Sequence, residues 1–449
     1  MSQKFTRRQV LYLAAGGVAA LAAGAAIIYT TQQPQQQPAA RPTPTAPATT
    51  PTPTAPAGPR KLTMLARSGY HQEVNRALLE YYNSKRPPVE LNYIPKGYYE
   101  TYQVAVLGMK NKSTEYDVMY LDEPWLYEFY MNGWLEPLGD DLDMSDVLPH
   151  TLEMSAYKGK RYAMPIVGNF NFLFYNKELI ERAGERPPKS WDDVIRISET
   201  VTQKLAPRSY GWSGHYSTGS ATDVYLTVLL SLGGHMFSPK DKVTPVLDSQ
   251  EAVEALKIVK ELAAPKRAHP KTMTWSSLAE YSDAILNGEV AIGAVWNGWV
   301  KDVDNPQRSK VVGKIFFMPM PGKRPVSQTG VWYYTVSAFS KNKELAKEYI
   351  KVTTTFEAQK YAHLKAGLPP TRISVYQDPE VRRQSRLAEM FVEVARAGVP
   401  ARTSPIFMKV EEEFNSIINK AVLGQITPEE AIKRMHQRLV EESKKAGLI

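Results

Sequence analysis

An α/β fold is predicted for residues 61–449 on two observations, and a third narrows it. Apolar runs of strand length recur between segments of helix length, and several of those segments carry explicit helix-start signals. No repeat of fixed period runs through the chain, which argues against a solenoid or propeller. Taken in order, strands are expected at KLTML (61–65), VELNYI (89–94), DVMYL (117–121), FLFY (172–175), VAIGAV (290–295), KIFFMP (314–319) and WYYTVSA (332–338). Each is short and rich in β-branched or aromatic residues. Alternation with helices predicts largely parallel sheets.

The helix signals lie between these runs. Thr427-Pro428-Glu429-Glu430 is a capping box with proline at the first helical position. Ser190 with Asp193 opens a second helix through Ile195 and Ile197, and Asp248 with Glu251 opens a third whose Ala252, Leu256, Val259 and Ala263 share one face. Gly184, followed by Pro187 and Pro188, ends the helix that starts near Asn176.

The 449 residues, 43% hydrophobic and 22% charged, are enough for two domain-sized units. Five basic residues and no acid fall in residues 1–60, which leaves four of the nine net positive charges for the body. Those four are dispersed, with no Lys/Arg block interleaved with aromatics, so no nucleic-acid partner is expected.

Residues 1–30 read as an export signal or N-terminal membrane anchor. Lys4, Arg7 and Arg8 precede an apolar run of 19 residues from Val10 to Ile28. That is close to the length needed to span a bilayer, and the basic flank would keep the N-terminal end inside. TRRQVLYL also resembles a twin-arginine export signal, with Arg7 and Arg8 as the pair. Residues 31–60, rich in Pro, Thr, Ala and Gln, have no hydrophobic period and are expected to form an extended stalk. The expected location is the extracellular face of the cytoplasmic membrane, anchored, or free after cleavage.

No cysteine is present, which excludes disulfides, a thiol nucleophile, cysteine-ligated metal and lipidation at a cysteine. G-x-G-x-x-G, Walker, G-x-S-x-G and H-E-x-x-H motifs are absent, and the seven histidines are scattered. Neither a metal, a cofactor nor a catalytic residue is expected.

Among the acid pairs, Asp140-Asp141 and Asp192-Asp193 fall at turn and helix-start positions, where carboxylates cap free amides. Asp122-Glu123 differs: it ends a strand, the place where ligands gather in open α/β sheets. Capping of the next helix is the alternative use for one of the two acids. Aromatics cluster at other strand ends: Trp125 after the acids, Trp296, Asn297 and Trp299 after VAIGAV, and Trp332 with Tyr333 in TGVWYY. MLARSGYH likewise places Arg67, Ser68, Tyr70 and His71 after the first strand. A sugar needs that mixture, with C–H groups on an indole and hydroxyls on carboxylates and amides.

Several stretches together resemble the extracellular solute-binding proteins of ABC importers, in the maltose/sugar-binding-like group (family 1). They are YDVMYLDEPWLYEFYMNGWLEPL, YAMPIVGNFNFLFYNKELIERAGERPPKSWDDV, LNGEVAIGAVWNGW, SAFSKNKELAKEYIKVTTTFEAQKYAHLKAGLPPTRISVYQDPEV and IINKAVLGQITPEEAI, in that order. The resemblance implies a two-lobed periplasmic-binding-protein-like (type II) fold with a hinge and an interlobe ligand cleft. Lobe one would comprise 61–168 and 302–357, and lobe two 169–301 and 358–449. It implies ligand contacts from Tyr70, Asp122, Glu123, Trp125, Asn169, Trp296, Asn297, Trp299, Trp332 and Tyr333. The implied role is a monomeric receptor that captures a di- or oligosaccharide and delivers it to ABC permease subunits in the membrane. Two alternatives stay open: a polyamine receptor, because acids and aromatic faces also make a cation box, and a surface glycoside hydrolase using Asp122 and Glu123.

Overall fold

The computed structural model describes residues 60–216 and 220–449. The expected anchor, and the stalk up to its last residue, lie outside them. Among the described residues no helix is long and apolar enough to cross a membrane.

The strands in chain order are β1 (Arg60–Arg67), β2 (Val89–Lys96), β3 (Val118–Asp122), β4 (Leu135–Glu136), β5 (Ala156–Tyr157), β6 (Lys160–Arg161), β7 (Ala163–Val167), β8 (Phe170–Asn176), β9 (Tyr210–Ser213), β10 (Val290–Trp296), β11 (Ile315–Met318), β12 (Ser327–Thr329), β13 (Trp332–Ser337) and β14 (Gly398–Val399). One sheet has the order β2-β1-β3-β13-β4, with β7 also on β13; the other has β14-β12-β8-β10-β9, with β11 also on β8. β5 and β6 form a separate hairpin. Each large sheet belongs to one lobe. Every residue of β3, β7 and β10 is buried, as expected of strands covered on both faces, and it explains their unbroken apolar runs.

The sheets are mixed rather than largely parallel. β1 pairs in parallel with β2 and β3, but β13 is antiparallel to β3, β4 and β7. In the second sheet β8 is antiparallel to β10, β11 and β12. β13 re-enters the first sheet from the second lobe, so it arrives from the opposite end and runs the other way.

The lobe boundaries also differ from those expected. β11 and β12, placed in lobe one by resemblance, satisfy their backbone groups on β8; residues 302–329 therefore go with lobe two. Ala358, Ala362 and Leu368, placed in lobe two, are packed into the first lobe's core.

Local signals acted largely as read. Thr427 accepts from the Glu430 amide, Ser190 from that of Asp193, and Asn176 from that of Leu179. The third cap is Ser249, accepting from the Ala252 amide, rather than Asp248; a serine hydroxyl one residue later reaches the open turn. The helix Ala221–Ser231 had no expectation attached. All its residues are buried, so it lacks the polar face that reveals a surface helix.

Candidate functional site

Among the described residues the chain passes between the lobes three times: at Gly168–Asn169, between β7 and β8; at Gly330–Val331, between β12 and β13; and again between Leu368 and Leu387. The first two concern the site. The two crossings are tied together, since the Gly330 amide donates to the Asn169 carbonyl at 2.9 Å. Glu123 clamps the second crossing. Its amide donates to the Val331 carbonyl (2.9 Å), and its carboxylate accepts from the Thr329 hydroxyl (2.8 Å) and the Val331 amide (3.4 Å). Asn297 does the same for the first crossing, donating to the Gly168 carbonyl (3.0 Å) and accepting from the Phe170 amide (3.2 Å). Two of the residues expected to touch ligand are thus engaged with hinge backbone.

Beside these crossings lies a cavity of about 270 Å³ lined from both lobes. The first lobe supplies Arg67 from the end of β1, His71 from the following helix α1 (Tyr70–Lys85), Tyr98 and Tyr99 from the start of α2 (Tyr98–Lys110), and Asp122 from the end of β3. Asn169 enters from the crossing. The second lobe supplies Asp223, Trp296, Trp299, Arg402 and Glu411, with His215, Ser220, Ser277 and Leu278 completing the wall.

Asp122 serves both of the roles weighed for it. Oδ1 caps the Glu123 amide at 3.0 Å, while Oδ2 accepts from the Tyr98 hydroxyl at 2.8 Å and lies 3.4 Å from Nη2 of Arg402. Arg402 crosses from lobe two to make that contact. It is 4% exposed, lies 3.9 Å from Asp223, reaches the Tyr98 hydroxyl at 3.5 Å, and sits over the Trp296 ring at 5.5 Å. Arg67 stands over Tyr98 (5.1 Å) and Trp332 (5.5 Å) in the same way. Each guanidinium therefore covers an aromatic face within cation–π range.

Burial governs the protonation states. Glu411 is pushed up to about 8, by desolvation first and the neighbouring Asp223 charge second. Asp223 is raised by the same desolvation, opposed by Arg402. Burial holds His71 well below its ordinary value and His215 down at about 4, so both imidazoles are neutral near pH 7. Glu123, behind the wall, is pushed up to about 7 by desolvation.

Of the ten expected contacts, Asp122, Asn169, Trp296 and Trp299 line the cavity together. Trp125 and Trp332 form a second layer, packed edge to face at 5.4 Å behind Tyr98. Tyr333 is turned away to the Thr151 carbonyl (2.7 Å). Tyr70 reaches across the cleft to Gly298, where a β-carbon would lie 2.6 Å from its hydroxyl. Tyr98, Tyr99, Asp223, Arg402 and Glu411 were missed. The strand-end rule would have found Tyr98 and Tyr99, which follow β2; no motif marks the other three. Several buried polar atoms here have no partner within the protein, among them Nε of Arg402, Oδ1 of Asn169 and Nε2 of His71. Such atoms are costly unless a bound group meets them. Among the described residues no cluster could hold a metal ion. A larger cavity of about 440 Å³ adjoins His150, Glu153 and Lys242, but its lysine is already ion-paired with that glutamate.

Comparison with known proteins agrees with this geometry. The family described as "Bacterial extracellular solute-binding protein" matches residues 67–360. A Sinorhizobium fredii protein named as a probable amino-acid ABC transporter periplasmic-binding protein is 26% identical over 381 residues, covering 80% of this chain and 84% of its own. The mannitol-binding protein of Pseudomonas aeruginosa is 23% identical, covering 70% and 77%. The maltose-bound MalE3 of T. maritima superposes with a TM-score of 0.75 at 27% identity, covering 84% of this chain and 98% of that one. The chain belongs to the family of bacterial extracellular solute-binding proteins.

Proposed function

We propose that the chain is the receptor of an ABC importer, capturing a short saccharide or sugar alcohol in the Asp122–Arg402 cleft and delivering it to membrane permease subunits. The observation that carries this reading is the wall itself: Asp122, Asp223 and Glu411, the guanidiniums of Arg67 and Arg402, and the indoles of Trp296 and Trp299 line one cavity of about 270 Å³. Hydroxyl groups both donate and accept, so a polyol satisfies Asp122, Asn169 and Arg402 together. Trp299, half-buried at the rim, is the open face for a sugar ring. A cavity of about 270 Å³ favours one or two sugar units over a longer chain.

The hydrolase alternative needs a raised carboxyl facing the ligand beside an ionised one. Glu123, the partner weighed for Asp122, has a raised value, but its carboxylate faces Thr329 and Val331 at the crossing. Glu411 and Asp223 are raised within the wall itself, so a check for hydrolysis decides this alternative. The polyamine alternative needs a box of open aromatic faces, and guanidiniums cover Tyr98, Trp332 and Trp296, which leaves Trp299 as a single open face. We also assign residues 1–30 to a retained anchor and 31–60 to a stalk, which places the receptor on the outer face of the membrane; fractionation of cells would find the chain in membranes.

Calorimetry on the full chain tests the ligand class, using maltose, mannitol, glutamate and spermidine, with each mixture afterwards checked for hydrolysis. Micromolar or tighter binding of a sugar or polyol, without product, is expected. Tight glutamate or spermidine binding with no response to sugars would overturn the ligand class, and release of smaller sugars would overturn the receptor reading.

A further inference from the structure

Three buried acids converge on this cleft, Asp122 from the first lobe and Asp223 and Glu411 from the second, with Tyr98, Tyr99 and Trp296 around them. Acids ringed by aromatic faces are the surroundings that hold an organic cation. In this chain the place is filled from within. The Arg402 guanidinium lies over Trp296 and between Asp122 and Asp223, at 3.4 and 3.9 Å. The fit on the Trp296 edge is close: a β-carbon on Gly330 would lie 2.6 Å from the ring and 2.9 Å from Nη2 of Arg402.

We propose that Arg402 is a resident cation that determines ligand charge: it occupies a cation box built by Asp122, Asp223 and Trp296, excludes amines, and leaves the cleft selective for uncharged ligands. Its distances support this role. An ion pair built for stability alone is expected as a tight bidentate fork near 2.8 Å. Arg402 instead stands 3.4 Å from Asp122 and 3.9 Å from Asp223, with Nε unpartnered. Donors remain for a ligand hydroxyl while the positive charge stays in the box. Among the described lining residues the other guanidinium, Arg67, does not take its place, being held in the first lobe over Tyr98 and Trp332. The inference rests on the cleft being the ligand site, and not on the ligand being a sugar.

Two charge changes in opposite directions test it in the full chain. Arg402→Met keeps the apolar stem and removes the cation; spermidine, which should not bind the wild type, should then bind, with affinity gained by about tenfold or more. Arg402→Lys, which retains the charge, should still refuse spermidine, a readout that a merely structural role would not move. If Arg402→Met does not fold, as melting would show, Asp223→Asn carries the test: it leaves the guanidinium in excess, so glucuronate should gain affinity relative to an uncharged sugar. Wild-type protein that binds spermidine as tightly as Arg402→Met overturns the proposal. So does a folded Arg402→Met with no spermidine gain, or an Asp223→Asn with no glucuronate gain. Spermidine gain in Arg402→Met together with no sugar binding by the wild type would retain the resident cation and remove the sugar reading.

Discussion

The two walls of the cleft are built differently. The first lobe presents its groups from the ends of parallel strands and the turns after them: Arg67 at the end of β1, Tyr98 after β2, Asp122 at the end of β3. The second lobe presents Asp223 from an all-buried helix, Arg402 from the coil after β14, and Glu411 from the helix Phe407–Val422. Where β1, β2 and β3 run parallel, chain direction aims consecutive strand ends at one edge. The second lobe's charged groups come instead from elements far apart in sequence. The lesson is that a strand-end rule reads the first lobe's wall and the second lobe's Trp296 and Trp299, but not the second lobe's charged groups.

The sharpest way to break this comparison is Asp122→Ala. It removes the Tyr98 acceptor, the Glu123 cap and the first-lobe partner of Arg402 at once, and ligand affinity measured by calorimetry should fall about a hundredfold. An effect below threefold would mean that the second lobe binds alone. Gly298→Ala comes next. Its β-carbon would meet the Tyr70 ring across the cleft, holding the lobes apart and weakening binding about tenfold. Adding Tyr70→Ala should restore part of the loss; no restoration would show that the glycine matters within its own lobe.

The legibility of the sequence follows the same division. All seven expected strands are present, because strand length and apolar runs are local properties. Asp122 lies in the cavity wall and Glu123 beside it lies on the crossing backbone, because a one-residue step turns a side chain from the cleft to the crossing. Asn297 is a similar case, an amide at a strand end whose polar atoms are used on Gly168 and Phe170. Arg402 had no signal at all. Its role depends on Asp122, which lies some 280 residues earlier and meets it only after both lobes have folded.

Two smaller effects sharpen the account. Glu411, in the second wall, has a folded-state value of about 8 against an ordinary 4.5. A carboxyl raised in this way contributes most to stability below its unfolded value, and that contribution is lost as pH rises from about 4.5 to about 8. The melting temperature of Glu411→Gln relative to wild type should therefore rise across that window; a relative fall would mean that Glu411 is ionised and well paired. Glu73→Ala, which breaks an exposed contact of 3.0 Å with Lys301, should change stability by less than about 0.5 kcal/mol. A larger loss in denaturant titration would make that rim pair part of the closure.

The most direct test of the central claim, that the two walls act as one site, is a double-mutant cycle on Asp122→Asn and Arg402→Met, read by calorimetry with the tightest uncharged ligand. The account predicts a coupling of about 1 kcal/mol or more between residues from different lobes. Losses that add to within about 0.3 kcal/mol would contradict it, because the walls would then bind independently.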